Sequence, residues 1–275
     1  MKYNITASIV LYENAEFVNR LIASFFNSPL KQKLFIIDNS HTDTFKQLAT
    51  NNETEYIFNN KNIGFGKAHN IALQKAIDIS EYHLILNPDV KFSGEILKDI
   101  YGFMQVHKNI GQLMPKVFYE NGELQKLCKL LPDPAVLIGR RFFAGSEWAK
   151  KRSAHYELNG LGYDKCANIP NLSGCFMFLR NEILKKAGFF DERFFMYMED
   201  VDITRRIHRI SETLFYPYVH IFHKYEKESY SNSALLKNHI FSAIKYFNKW
   251  GWFFDAERKR INSETLQQLN LLTAE

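Results

Sequence analysis

The chain has 275 residues, 46% hydrophobic and 24% charged, which excludes a disordered or fibrous polypeptide and implies a globular protein with a sizeable core. No apolar run approaches the roughly 18 residues of a membrane span, and MKYNITASIVLYEN has no apolar stretch ending in a small-residue cleavage site, so a cytoplasmic chain is expected. The net charge of +5 is concentrated: Lys224–Arg260 holds eight Lys/Arg against four Asp/Glu, and Arg140–Arg152 five against one. Interleaved with Phe and Trp, these stretches suit an anionic partner such as a nucleic acid, a phosphorylated substrate or a membrane surface; two solvated faces are the plainer reading. Cys128, Cys166 and Cys175 form neither a disulfide framework nor a CxxC metal site and are expected to be free thiols.

In chain order, ITASIVLY (Ile5–Tyr12) predicts a strand, and Glu16–Phe26 a helix with apolar residues at 17, 18, 21, 22, 25 and 26. KLFIID is a second strand, and Asp43–Thr50 a short helix with Asp43 as N-cap. TEYIFN, a helix over Gly66–Ile79 and YHLILN complete a regular alternation that implies a parallel sheet with right-handed crossovers. Parallel sheets bind ligands at the carboxyl ends of their strands. Those ends carry Tyr12 and Glu13, Asp38 and Asn39, Asn59 and Asn60, then Asn87 and Asp89. One such polar cluster is ordinary turn chemistry, but four in register suggest a site.

Further on, Gly94–Val106 predicts a helix, and Asn121-Gly122 a type I′ hairpin turn. Residues 128–168 look irregular, basic and aromatic. SGCFMFLR is a strand, Asn181–Lys186 a helix stopped by Gly188, and Asp200–Ile210 another helix. Two short strands over Leu214–Phe222 and an amphipathic helix over 234–250 follow. No linker or repeat divides the chain, so one domain with a C-terminal extension is expected.

The glycines of NIGFGKAHN miss the dinucleotide pattern, since they do not follow the first strand and His69 occupies the third glycine position. Asn87 and Asp89 in LILNPDV form a short acidic turn on a rigid strand, suited to Mg²⁺ or Mn²⁺; an Asn-Pro turn without ligand is the equal alternative. His220 and His223 would face opposite ways on a strand, and a lone histidine is more often structural than a ligand. In FFMYMEDVD, Glu199, Asp200 and Asp202 open a helix, where the macrodipole favours acids and Asp202 can pair with Arg205 or Arg206. That does not account for the aromatic and methionine run before them. A carboxylate at the edge of such a wall is poised for a raised pKa and a role as base.

Together, FIIDNS, NIGFGKAHN, NPDV and GFFDERFFMYMEDVDITRR resemble the family 2 glycosyltransferases of GT-A fold, particularly the bacterial rhamnosyltransferase-like enzymes of surface polysaccharide synthesis, over roughly residues 4–230. The resemblance implies a GT-A-like, Rossmann-like, mostly parallel sheet flanked by helices. It divides residues 1–230 into a nucleotide-sugar half (1–118) and an acceptor and catalytic half (119–230), with a helical extension over 231–275. It also implies that Tyr12, Asp38, Asn39, Asn62, Gly64, Asn70, Asn87 and Asp89 line the donor site. Asp89 and His223 would hold a divalent cation, and Asp200 of the pair Glu199-Asp200 would be the general base of an inverting transfer. Asn87 stands where a full DxD has Asp, and the QxxRW motif of processive synthases is absent, which favours addition of a single sugar. The acceptor would be a glycan or a lipid-linked oligosaccharide. The basic, aromatic YFNKWGWFF would rest on a membrane or, equally, pack on the catalytic domain or at a homodimer interface. A sugar-phosphate nucleotidyltransferase and a non-catalytic glycan-binding relative are the rival readings. No nucleic-acid-binding motif accompanies the basic stretches.

Overall fold

The computed structural model describes residues 1–224 and 233–271. The N-terminal half alternates as the periodicity predicts: β1 (Tyr3–Leu11), α1 (Val18–Phe26), β2 (Gln32–Asp38), β3 (Thr54–Phe58), α2 (Phe65–Ala76) and β4 (Ser80–Leu86). Next come β5 (Val90–Lys91), α3 (Glu95–Val106), β6 (Ile110–Phe118), α4 (Pro134–Phe142), α5 (Glu147–Tyr156) and β7 (Ala167–Asn168). The chain then forms β8 (Phe176–Arg180), α6 (Asn181–Ala187), α7 (Glu199–His208), β9 (Glu212–His223), α8 (Ser233–Trp250) and α9 (Ala256–Gln268).

The strands form one sheet in the order β3-β2-β1-β4-β8-β6-β9-β5, with β7 paired to β9. Ladder directions make β1, β2, β3, β4, β6 and β9 point one way, while β5, β7 and β8 run against them. The sheet is therefore mostly parallel, and six strands end on one rim. Because β8 is reversed, its amino end reaches that same rim. β1 is central and buried on both faces. Ile5, Ala7, Ile9 and Leu11 join a core cluster with Leu21 and Phe25 of α1 and Leu97 and Ile100 of α3. On the opposite face, Ala68 and Ala72 of α2 pack on Phe35 and Ile37, and α6 and α7 supply Leu184, Ile203 and Ile207.

Five local expectations change. Asp43–Thr50 gives only a 3-10 turn at Lys46–Leu48, because too few residues separate it from β3 for a stable α-helix. At Asn121-Gly122 the turn spans Tyr119–Gly122, with Gly122 N–H donating to the Tyr119 carbonyl at 2.9 Å. Only Gly122 is left-handed (φ +85°), so the turn is not type I′. The irregular stretch contains α4 and α5. Asp133 Oδ1 accepts from Val136 N–H with Pro134 behind it, and Ser146 Oγ accepts from Ala149 N–H. The two short strands after Leu214 are one strand, β9, whose register against β6 jumps from Tyr216 to His220. α9, capped by Asp255, was not anticipated. The expected boundary at 230/231 lies outside the described residues.

Candidate active site

At the first corner of the rim, Asp38 is fully buried. Its Oδ1 accepts from Ser40 N–H at 2.8 Å and its Oδ2 from Tyr56 O–H at 2.5 Å, so the side chain builds the turn from below. Asn39 donates to the Gly64 carbonyl (3.3 Å) and accepts from Asn59 (2.8 Å), while Asn62 Oδ1 accepts from Gly64 N–H (3.0 Å). What this corner offers to solvent is Tyr12, 49% exposed, with the His41 ring edge-on at 6.3 Å. His41 was not singled out from the sequence; its position three residues past a strand end was the available signal.

Gly64 and Gly66 have a packing role. A Cβ on Gly64 would lie 2.4 Å from the Phe195 carbonyl oxygen, and one on Gly66 would lie 2.9 Å from Phe190 Cβ. Phe65 N–H donates to the same Phe195 carbonyl at 2.9 Å. Asn70, expected along the donor, has its amide committed to the Phe190 backbone in both directions: Nδ2 to the carbonyl (2.9 Å) and Oδ1 from the N–H (3.0 Å). A ligand bond from Asn70 would have to break this clasp. NIGFG and GFFDERFF thus hold one another, far apart in sequence.

Asn87, Asp89 and His223 meet at the next corner. His223 Nε2 lies 3.4 Å from both Asp89 Oδ1 and Asn87 Nδ2. Gln125 Nε2 donates to the His223 carbonyl (2.7 Å), which turns Gln125 Oε1 toward His223 Nδ1 (3.2 Å). That pairing fixes the ring so that Nε2 is turned toward Asp89 and Asn87. An imidazole nitrogen and a carboxylate oxygen side by side are ligand types that a divalent cation takes. Among the described residues no group of three or more His, Cys, Asp or Glu side chains gathers. A hard divalent ion here would therefore take its remaining ligands from water or substrate oxygens. Gln125 was missed because nothing in its sequence setting marks it.

The acids stand at the start of α7. Tyr197 and Met198 before them are both left-handed (φ +69° and +67°), at a cost on the order of 1–2 kcal/mol each for non-glycine residues. Glu199 is 6% exposed and its Oε2 has no hydrogen-bond partner among the described residues. Burial, reinforced by Asp200, pushes its pKa up to about 8. Burial also raises Asp200, but N–H groups of Gly174 (3.1 Å to Oδ2) and Val201 (2.8 Å to Oδ1), together with Lys129, favour its charged form. Glu199 is therefore the more readily protonated member of the pair, and the groups around Asp200 oppose its protonation. Asp202 is fully buried and pairs with Arg206 (2.9 Å), Lys249 (2.7 Å) and Trp250 Nε1 (2.8 Å).

The aromatic run before the acids is mostly core. Phe190 packs with α2 and α7, and Phe194 and Met198 pack with Tyr246 and Phe247 of α8, so these three do not line a pocket. α8 clamps the segment in polar fashion too: Ser242 Oγ donates to the Met196 carbonyl (2.8 Å) and Lys245 Nζ to the Arg193 carbonyl (2.6 Å). The opposite face of α8 leaves Ile240, Phe241 and Ile244 exposed, and Phe253 and Phe254 beyond it are 72% and 95% exposed.

The two acidic corners are joined by the lead-in to β8. Asn87 N–H donates to the Cys175 carbonyl at 3.0 Å, while Gly174 N–H holds Asp200. Adjacent residues thus anchor the NPD turn and the candidate base. Neither Gly174 nor this lead-in was picked from the sequence, because the strand direction that brings it to the rim has no local signature.

These features define an α/β protein with a two-corner acidic site on the carboxyl rim of its sheet. The chain belongs to glycosyl transferase family 2, whose model matches residues 6–188 and so ends before Glu199 and Asp200. It is 22% identical over 203 residues to the low-salt glycan biosynthesis hexosyltransferase Agl10 of Haloferax volcanii, spanning 73% of this chain and 60% of that protein. It is 23% identical over 211 residues to the N-acetylglucosaminyl-diphospho-decaprenol L-rhamnosyltransferase of Mycobacterium tuberculosis, spanning 72% and 68%. Among solved structures, S. aureus TarS 1–349 with UDP-GlcNAc superposes with a TM-score of 0.62 at 16% identity, over 96% of this chain and 71% of that one. GalNAc-T7 with UDP, GalNAc and Mn²⁺ gives 0.61 at 14%, over 96% and 54%. These likenesses establish a shared GT-A fold.

Proposed function

We propose that the chain is an inverting, non-processive glycosyltransferase that moves one sugar from a nucleotide-diphosphate sugar to a hydroxyl of a glycan or lipid-linked acceptor. The observation that carries this reading is the tie through Gly174 and Cys175, adjacent residues of which one holds a candidate base and the other a candidate cation turn. Residues 1–118 would hold the donor, with Tyr12 and His41 at the nucleobase and Asn39, Asn62 and Gly64 shaping the floor. Asp89 and His223, with Asn87 beside them, would hold Mg²⁺ or Mn²⁺, which neutralises the departing diphosphate when bound. Asp200 accepts the proton of the acceptor hydroxyl as its oxygen bonds to the anomeric carbon. The bond from that carbon to the diphosphate oxygen breaks on the opposite face, and its electron pair leaves with the nucleotide. One displacement with one base inverts the anomeric centre. Glu199, protonated, avoids a second charge beside the base. The name of the mycobacterial relative makes L-rhamnose the first sugar to test and a lipid diphosphate acceptor the first partner.

Asp200→Asn should lower transfer by about 10²–10⁴-fold while leaving nucleotide affinity unchanged, measured by nucleotide diphosphate release and by titration. Near-normal turnover would remove Asp200 from the role, and a wild-type chain that binds glycan without releasing nucleotide would favour a binding protein. We also propose that the exposed face of α8, with Phe253 and Phe254 beyond it and Lys237 on it, rests on an anionic membrane at the cytoplasmic side. No helix among the described residues is long and apolar enough to cross a membrane. Phe253→Ser with Phe254→Ser should abolish flotation with phosphatidylglycerol vesicles. Unchanged flotation, or loss of a dimer instead, would assign the face to protein contact.

A further inference from the structure

The helices α4 and α5 form a hairpin whose tip neither the core nor the transfer chemistry uses. Val136 and Leu137 of α4 and Ala149 and Tyr156 of α5 face inward. At the tip, Phe142 and Phe143 are 62% and 56% exposed, and Ile138 and Trp148 are half exposed. The Trp148 ring is nonetheless held in place. A Cβ on Gly139 would lie 2.9 Å from its Cζ3, so a glycine, a poor residue inside a helix, lets the indole lie across α4. The Arg152 guanidinium stacks on the same ring at 5.6 Å and is anchored by Asp133 at 2.7 Å. Phe142 and Phe143 follow Gly139 at i+3 and i+4 and share its side of the helix. Three aromatic rings thus make one exposed apolar tip.

The charge around the tip selects what can cover it. Over residues 133–157 five Lys and Arg stand against three Asp and Glu, and Lys150 and Lys151 are exposed. That count already includes Asp133 and Glu157, the partners of Arg152 and Arg140. A second copy meeting the tip about a two-fold axis would set the same cations against one another. An anionic lipid surface matches both properties, since aromatic rings enter the headgroup boundary while Lys and Arg reach the phosphates.

The hairpin also stands beside the helix that carries the other exposed apolar face. Leu137 packs with the cluster of Tyr246 and Phe247 of α8, and burial together with Arg141, Lys129 and Arg140 lowers the pKa of His239 on that helix. At its inner end α5 closes on Tyr156, whose pKa is raised by burial with a contribution from Asp200. A ten-residue helix is about 15 Å long, so the tip stands about one helix length from the neighbourhood of the candidate base.

We propose that the α4–α5 tip seats Phe142, Phe143 and Trp148 in the interface of an anionic membrane, a second foothold beside α8. This deepens the membrane reading of α8, on which the choice of a common lipid surface rests, and is independent of sugar transfer.

Partitioning of the full chain onto phosphatidylglycerol vesicles tests it. Phe142→Ser with Phe143→Ser should lower the partition coefficient at least tenfold, and Lys150→Glu with Lys151→Glu should lower it on these vesicles more than on phosphatidylcholine. Brominated phosphatidylglycerol should quench a share of the tryptophan fluorescence that Trp148→Phe removes. Melting curves separate lost binding from lost folding, and the quenching is read without disturbing Phe142 or Phe143. Wild-type partitioning of the double Ser variant, or no quenching assignable to Trp148, would overturn the proposal; so would the loss of a dimer in sedimentation with partitioning unchanged. Should Phe253→Ser with Phe254→Ser still float while the hairpin variant does not, the α8 reading fails and the hairpin stands. The reverse result leaves α8 alone on the membrane and sinks the hairpin.

Discussion

At the corner built by Asp38, Asn39, Asn62 and Gly64, the inward-facing polar groups are paired and the Tyr12 and His41 rings stand out into solvent. At the acid turn from Tyr197 to Asp200, two successive residues are left-handed, a buried carboxyl oxygen lacks a partner among the described residues and two acids are held against burial. The first corner has left-handed residues too, Glu13 (φ +54°) and Asn60 (φ +53°), but they are exposed and not consecutive, and its inward polar groups are satisfied, as suits a pre-formed surface that recognises a ligand. The second stores strain, which persists only where neighbours over-determine it. Here the neighbours are α8 and α9, so the C-terminal helices are what allow the acid turn to exist.

The largest break in this comparison should come from the clamp. Arg205 and Asp255 form a bidentate pair at 2.7 and 2.8 Å with almost no exposure, and Trp250 stacks on the guanidinium at 4.1 Å. Asp255→Ala should cost about 3–5 kcal/mol of unfolding free energy, read from denaturant midpoints, because it removes both bonds and the α9 cap and leaves the buried guanidinium with Glu257 at 2.8 Å as its carboxylate partner. A smaller effect is expected where the two corners touch. Gly64→Ala forces a methyl against the Phe195 carbonyl and a strained φ of +90°, so it should destabilise by about 1–3 kcal/mol and lower transfer as well. Loss of activity without loss of stability would mean that the glycine serves the ligand rather than the packing. The mildest change is Glu199→Gln. The folded protein keeps a proton on Glu199 between its ordinary pKa of 4.5 and about 8, whereas the unfolded chain releases it above 4.5. Stability therefore falls as pH rises through that window. Glu199→Gln should flatten this decline, raising the melting temperature more at pH 8 than at pH 5 while preserving most activity; an unchanged slope would contradict the assignment of the proton.

Much of the first corner was legible because its signals are local. Strand periodicity located β1 to β4, and Asp38, Asn39, Asn87 and Asp89 follow directly from where those strands end. The second corner was legible only in part. Glu199 and Asp200 stood out by composition, but their surroundings depend on long-range pairing: Gly174 reaches Asp200 because β8 is reversed. The same holds at the NPD turn, where Gln125 reaches His223 across 98 positions of sequence. The aromatic run signalled the burial that raises both acids, but Phe190, Phe194 and Met198 serve the core itself. Asp133-Pro134 lies in the stretch expected to be irregular, yet a capping Asp followed by Pro at the first helical position is equally a helix start, and tertiary packing chooses.

The reversed strand has one more consequence. Leu86 pairs with Phe176, so the distance between the NPD turn and the base is set by a hydrogen-bond ladder. Ladders do not slide smoothly: a shift of one residue would turn every side chain of β8 inside out, and a shift of two would move the base by about 7 Å. The gap across which the two reactants must meet is thus a fixed gauge, and accommodating a bulkier or slimmer substrate would have to come from trimming side chains, never from stretching the frame.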